Sequence, residues 1–222
     1  DLIKKYSVNE NKIRVLYHAA DELFCKNNNE EDLLNTRKKY NADTGYILNI
    51  SSSDPRDNTV TVIRAYEKAR RKLMPLKKLI IFGDISPKDM GLEKLIQEFK
   101  LENSIIFTGR LIDEELVALY QAADLYIDPS LYEGFGFQVV EAMACGIPVV
   151  TSNVTSLPEI VGDVGILVNP TDIDGLSSAV VEILTDSVLH RSMCQKSLER
   201  AKLFSWDKTT RETIEIYNKL LS

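Results

Sequence analysis

The chain has 222 residues, 44% of them hydrophobic and 27% charged, with a net charge of −6. That is an ordinary globular composition, large enough to bury a core without disulfide or metal staples. It excludes a surface built for nucleic acid, which needs a basic face, and no apolar run approaches the ~18 residues of a membrane span. The local basic runs, Arg70-Arg71-Lys72 and Lys77-Lys78, read as a helix end and a solvated loop. Cys25, Cys145 and Cys194 have neither metal-ligand nor redox spacing, which suits a reducing cytoplasm. No signal-peptide pattern is visible, and a start at Asp1 rather than Met fits a piece of a longer chain.

Residues 1–8 suit a short helix arriving from elsewhere. Residues 12–17 (KIRVLY) alternate as a strand does, with His18 at their end as a surface or capping residue. Residues 27–31 (NNNEE) read as loop, and residues 33–40 as a short helix. From Tyr46 strand and helix signals alternate. Residues 46–50 (YILNI) form a strand, and 51–58 (SSSDPRDN) a turn-rich loop. Residues 59–73 carry apolar side chains at helical spacing, and 79–82 form a continuous apolar strand. Ser86-Pro87 is expected to open the next helix. A strand over 104–107 ends at Thr108-Gly109, and Asp113 is placed to cap a helix reaching Ala122. The strand at 125–127 delivers the chain to Asp128-Pro129.

Residues 129–152 (PSLYEGFGFQVVEAMACGIPVVTS) then read as loop, helix, glycine stop and strand over 147–150. Ser156 and Glu159 have the spacing of a capping box. A short strand at 165–168 and a helix capped by Thr171 or Asp172 follow. Helices over about 187–204 and 205–221 end the chain. Apolar strands separated by helices predict an α/β fold, a parallel Rossmann-like sheet with helices on both faces. Ligands then sit beyond the carboxyl ends of the strands, at the loops 51–58, 83–86, 109–112, 128–136 and 151–156.

Glu133 and Glu141 have seven residues between them, and Gly134, Phe135, Gly136 and Phe137 fill the turn. Two carboxylates so close are candidates for an acid–base pair. A second reading fits the local chemistry better. The glycines let backbone approach a ligand, and a helix starting near Phe137 offers open amides and partial positive charge to an anion. A carboxylate accepts hydrogen bonds from vicinal hydroxyls. Hydroxyl acceptor, anion site and hydroxyl acceptor is the order of groups in a nucleotide sugar. Spacing alone favours two solvated glutamates and glycines that merely turn the chain; the position after a strand at the functional edge of the sheet, with an apolar helix following, tips the balance.

Residues 132–150 resemble the E-x7-E region of retaining GT-B glycosyltransferases of group 1 (family 4). The likeness continues in family order through residues 105–110 (IIFTGR), 116–124 (LVALYQAAD), 127–136 (IDPSLYEGFG), 157–162 (LPEIVG), 165–170 (GILVNP) and 204–206 (FSW). It covers most of the chain from Tyr46 on and concerns the C-terminal, donor-binding half of that fold. It implies that residues 1–21 are an interdomain entry segment and residues 22–222 the nucleotide-sugar domain, with an N-terminal acceptor domain outside this chain.

On that resemblance Glu133 is the catalytic-site residue, meeting the donor sugar's hydroxyls. Gly134, Phe135, Gly136 and Phe137 serve the diphosphate and sugar, Glu141 holds the ribose, and Gly109, Arg110 and Leu111 flank the base. Transfer retains configuration with no cofactor and no metal, so Asp172-Ile173-Asp174 is a helix cap rather than a metal motif. The partners implied are a nucleotide sugar, with GDP-mannose favoured by residues 157–162, and a glycan or lipid-linked acceptor. A cytoplasmic site follows, with peripheral attachment at the inner membrane face left to the missing half.

The chain departs from the family at the loop after the first strand. Ser51, Ser52 and Asp57 occupy positions where the family has Gly-Arg and Lys, which leaves Arg56 or Arg110 as the candidate cation. A non-catalytic partner or scaffold domain therefore stays open as an alternative, as does another GT-B enzyme such as a nucleotide-sugar epimerase.

Overall fold

A computed structural model describes residues 2–221. In chain order the helices and strands are α1 (Leu2–Tyr6), α2 (Glu30–Lys39), β1 (Tyr46–Ile50), α3 (Thr59–Arg70), β2 (Lys78–Phe82), α4 (Leu92–Glu98), β3 (Ile105–Gly109), α5 (Asp113–Gln121), β4 (Leu125–Asp128), α6 (Phe137–Ala144), β5 (Val149–Ser152), α7 (Leu157–Val161), β6 (Ile166–Val168), α8 (Ile173–Thr185), α9 (Ser187–Ala201) and α10 (Trp206–Leu221). The six strands are all parallel, in the order β3-β2-β1-β4-β5-β6.

Period-two alternation explains the two layers. Ile47, Leu79, Ile81, Leu125, Ile127 and Val150 face one core, which α3, α4 and α8 cover. Tyr46, Leu48, Ile80, Tyr126 and Val149 face the other, covered by α5, α6 and α7. Each of these side chains is at most 1% exposed, and burying one stabilises the fold by about 1.5–3 kcal/mol.

The strand order reverses direction between β1 and β4. The chain leaves β1 for β2 on one side and later returns to place β4 on the other. Neither departing loop covers the crevice between them, so the carboxyl ends of these two strands open a cleft. Three loops border it and are tied together. Asn58, left-handed at φ 60°, donates from Nδ2 to the carbonyls of Pro129 (2.9 Å) and Pro170 (2.8 Å). The Leu131 amide donates to the Arg56 carbonyl at 2.7 Å.

Several local expectations are corrected. Residues 12–17 form no strand. Lys12 closes a 3-10 turn (Glu10–Lys12), and the following residues cross the helices rather than a sheet edge. Tyr17 packs on Phe135 and Phe204, and its carbonyl accepts from Thr209 Oγ1 of α10. The alternation there had no strand edge to pair with. The loop expected at 27–31 stops at Asn29, whose side chain caps α2.

Ser86-Pro87 is a turn, not a helix start. Asp89 accepts from the Ser86 amide and hydroxyl at 2.7 and 2.8 Å, and α4 begins only after Gly91. Asp113 is the first residue of α5, and Ile112 is the cap. The Ser156–Glu159 box does not form. Ser156 Oγ donates instead to the Glu133 carbonyl at 3.0 Å, while Glu159 accepts from the Tyr17 hydroxyl. Asp172 does cap α8, accepting from Gly175 N at 2.8 Å, and Asp174 pairs with Lys68. No helix among the described residues is long and apolar enough to cross a membrane.

Candidate functional site

The cleft at the β1–β4 crevice contains a cavity of about 240 Å³ lined by Ile50, Ser51, Ser52, Asp57, Tyr126, Asp128, Ser130, Glu133 and Gln138. Larger grooves lie elsewhere on the surface, but this one sits where the topology opens the sheet and holds the convergent polar groups.

Ser51 and Ser52 arrive on the end of β1. Ser51 is buried, with its hydroxyl bonded to that of Thr59 at the start of α3. The Ser52 amide and hydroxyl both donate to Asp57 Oδ2, each at 2.6 Å. A carboxylate thus folds the loop over itself. From β4 comes Asp128, whose Oδ1 accepts from the Ser130 hydroxyl at 2.5 Å and amide at 3.2 Å. Burial raises its pKa above the usual carboxylate range.

Glu133 follows five residues later, held from the β5 side. Its amide donates to Thr155 Oγ1 at 3.1 Å and its carbonyl accepts from Ser156. Burial, then the charges of Asp128 and Asp57, push the Glu133 carboxyl up to about 7. In the unfolded chain it titrates near 4.5. The folded state therefore holds the extra proton between these values, and stability falls as pH rises through that window. Glu133→Gln removes the penalty. Chemical denaturation at two pH values should find the variant more stable than the native chain by about 1–2 kcal/mol above neutrality, discounted for solvent screening, and equal to it well below the unfolded value.

α6 starts beside this group of acids. Its cap, Gly136, sits at φ 100° and gives no side-chain bond to the helix amides. A Cβ there would stand 2.8 Å from Leu157 Cδ2, so glycine suits both the backbone angle and the packing against α7. Val139 and Val140 are the first amides to bond back, both to the Gly136 carbonyl, and the amides of Phe137 and Gln138 stay available to an anion. One turn on, Glu141 Oε2 accepts from the Tyr120 hydroxyl at 2.8 Å. Burial raises the Glu141 pKa. Glu133 lines the cavity, whereas Glu141 is outside that lining and bonded to Tyr120, which sets the two carboxylates apart rather than pairing them as acid and base.

The remaining sequence candidates are scattered around the cleft. Gly109 ends β3 at φ 67°, and Leu111 packs on the second core. Arg110 is exposed and paired with Asp84 at 2.9 Å. Arg56 is turned onto Asp54, with Nε and Nη2 at 3.0 and 2.7 Å from Oδ2. Neither arginine lines the cavity.

Sequence reasoning missed Asp128, Ser130 and Tyr126 as cavity residues. Asp128-Pro129 was visible as a strand end, but Tyr126 read only as core. It also left His18 as a lone surface residue. His18 stacks on Phe137 at 5.0 Å and meets Phe135 at 5.2 Å and Trp206 at 5.6 Å, so the segment around His18, the glycine loop and α10 share one aromatic cluster.

The strand order and the position of the cleft place the domain in the Rossmann-like class, as one half of a GT-B fold. The profile of the family described as "Glycosyl transferases group 1" matches residues 32–202, and the chain belongs to that family. It is 39% identical over 176 residues to O-antigen chain mannosyltransferase B of Escherichia coli, covering 79% of this chain and 46% of that protein. A glycosyltransferase from Rickettsia africae superimposes with a TM-score of 0.87 at 23% identity, over all of this chain and 60% of that one. The C-terminal domain of the group 1 protein LpcC from Francisella tularensis gives 0.72 at 25% identity, over 83% of this chain and 97% of that one. The chain thus spans about half of the curated relative and nearly all of the isolated C-terminal domain.

Proposed function

We propose that this chain is the donor-binding half of a retaining glycosyltransferase that moves a sugar from a nucleoside diphosphate, with GDP-mannose as the favoured donor, to a glycan or lipid-linked acceptor. The observation that carries the reading is the uncapped start of α6 at the strand-order switch point, with Glu133 before it and Glu141 one turn along it. The amides of Phe137 and Gln138 take the diphosphate. Glu141, steadied by Tyr120, accepts the ribose hydroxyls, and Glu133 accepts from the donor sugar.

Retention follows if the acceptor hydroxyl attacks from the side the diphosphate leaves, so that the leaving phosphate oxygen takes its proton. The facing domain brings the acceptor, and residues 1–21 lead into it. The mannose preference rests on the name of the Escherichia coli relative and on residues 157–162.

Titration calorimetry with GDP, UDP and ADP tests this. GDP is expected to bind best. Absence of heat with all three at millimolar concentration would remove the nucleotide site from this chain. The domain alone is expected to transfer no sugar, and measurable turnover by residues 1–222 would refute the need for a facing half.

A further inference from the structure

Asp57, Asp128 and Glu133 line one cavity, and among its described lining residues there is no lysine, arginine or histidine. The three acids are held differently. Asp57 accepts both Ser52 bonds on Oδ2. Asp128 is 4% exposed and accepts the amide and hydroxyl of Ser130 on Oδ1. Glu133 is anchored through its backbone, on Thr155 and Ser156. The Ser130 hydroxyl is within reach of both Asp128 and Glu133, but one O–H donates to one acceptor, and here it serves Asp128.

The charges that face Glu133 come from three places. Asp128 on β4 and Asp57 in the loop after β1 disfavour its ionisation, while Arg56 favours it least strongly of the three, being turned onto Asp54. α6 contributes Gln138, which is neutral, and so are Thr155 and Ser156 on the β5 side. With the Glu133 carboxyl at about 7, the cavity already exchanges a proton with solvent near neutrality.

Two observations bring a ligand into this space. Gln138 lines the same cavity, so a phosphate on the open amides at the start of α6 lies beside Glu133. Tyr126 is 0% exposed, yet its hydroxyl, in the cavity lining, has no hydrogen-bond partner. A buried donor left unpaired is destabilising, and a ligand oxygen relieves it. A diphosphate arriving here adds negative charge to three carboxylates. Arg56 and Arg110 are already paired with Asp54 and Asp84, and one helix end attracts an anion only modestly. The group that can respond is Glu133. Added negative charge strengthens its hold on a proton, and a protonated carboxyl donates one hydrogen bond while still accepting others.

We propose that the donor binds with uptake of a proton from solvent onto Glu133, which meets the ligand as a neutral carboxylic acid, its O–H donating to a diphosphate oxygen and its carbonyl oxygen accepting from a sugar hydroxyl. The inference rests on the nucleotide-sugar reading above and deepens it. The proton supplies the positive hydrogen that a lysine or arginine in this lining would otherwise present. The free protein holds that proton below about 7, and the complex holds it to higher pH. Affinity is therefore full below neutrality and falls as pH rises above it, by about tenfold per pH unit until the carboxyl of the complex itself ionises.

Titration calorimetry with GDP-mannose reads the proton directly. Its diphosphate is esterified at both ends and does not titrate near neutrality, so the ligand brings no exchanging proton of its own. UDP-glucose, a diester of the same kind, is run beside it so that the identity of the donor does not decide the outcome. In buffers of different ionisation enthalpy at about pH 7.5, the heat should change with the buffer and report uptake of about half a proton or more. Glu133→Gln is neutral at every pH and can still donate and accept through its amide. It should bind with heat independent of the buffer, and at about pH 8.5 at least about tenfold more tightly than the native chain.

Equal heats in every buffer overturn the proton coupling and leave the nucleotide site standing. Uptake that persists in Glu133→Gln overturns the assignment to Glu133, because another group then carries the proton. No heat with either nucleotide sugar in any buffer fails the nucleotide-sugar reading itself.

Discussion

Replacing Gly83 with alanine is expected to cost the domain a large share of its stability. Gly83 follows β2 at φ 129°, a backbone angle that other residues rarely adopt. An added Cβ would stand 2.0 Å from the Ser51 carbonyl oxygen, which is backbone and cannot rotate away. The same contact is fixed from the other side, because the Ser51 amide donates to the Phe82 carbonyl at 2.9 Å. Relief therefore requires β1 and β2 to separate at the end that carries the cleft. Strain of this kind combined with a lost ladder bond comes to about 3 kcal/mol or more, against a total of about 5–15 kcal/mol for a typical domain. Urea denaturation should show the midpoint falling sharply. A change below about 0.5 kcal/mol, the range of an ordinary surface substitution, would mean the close approach of residues 51 and 83 is absent.

Glu141→Ala is expected to weaken GDP binding by about 10–100-fold, the loss of one or two hydrogen bonds to a charged acceptor. Tyr120 donates to one oxygen of this carboxylate, and on the proposed reading the other accepts from the ribose. Loss of affinity alone would not separate contact from collapse of α6, so the ligand is varied as well. If Glu141 takes the ribose hydroxyls, removing the 2′-hydroxyl from GDP should weaken binding to the native protein and have little further effect on the variant. Additive losses would place the ribose elsewhere. Glu141→Gln should fall between the two, because an amide oxygen accepts but carries no charge.

The fold was legible because most of its strands are buried on both faces. Residues 46–50 and 79–82 could form little other than central parallel strands, and the helices between them show apolar spacing. Boundaries were less secure where a local signal had a tertiary competitor. The alternation at 12–17 promised a strand, but both sheet edges lie elsewhere and α10 takes its backbone. Ser156 had the spacing to cap α7, yet its backbone is helical (φ −84°, ψ −22°) and its hydroxyl is turned to donate to the Glu133 carbonyl.

The site divides in the same way. Glu133, the glycines and Glu141 announce themselves because they lie in one stretch whose helix start is local chemistry. Their separation in function does not, since only the packed domain shows Glu141 tied to Tyr120 while Glu133 faces Asp57 and Asp128. Arg56 and Arg110 looked available because sequence does not show that Asp54 and Asp84 already hold them.

The sequence by itself determined the parallel α/β layering and the loop–helix unit at 133–141, because strand burial and helix initiation depend on residues a few positions apart. Only the tertiary structure decided the charge of the cleft. Asp57 and Glu133 are 76 positions apart, and Tyr126 is a strand residue whose hydroxyl could have pointed anywhere. They meet because β1 and β4 become neighbours when the strand order reverses. That pairing of strands, which no local stretch encodes, gathers Asp57, Asp128 and Glu133 around one cavity.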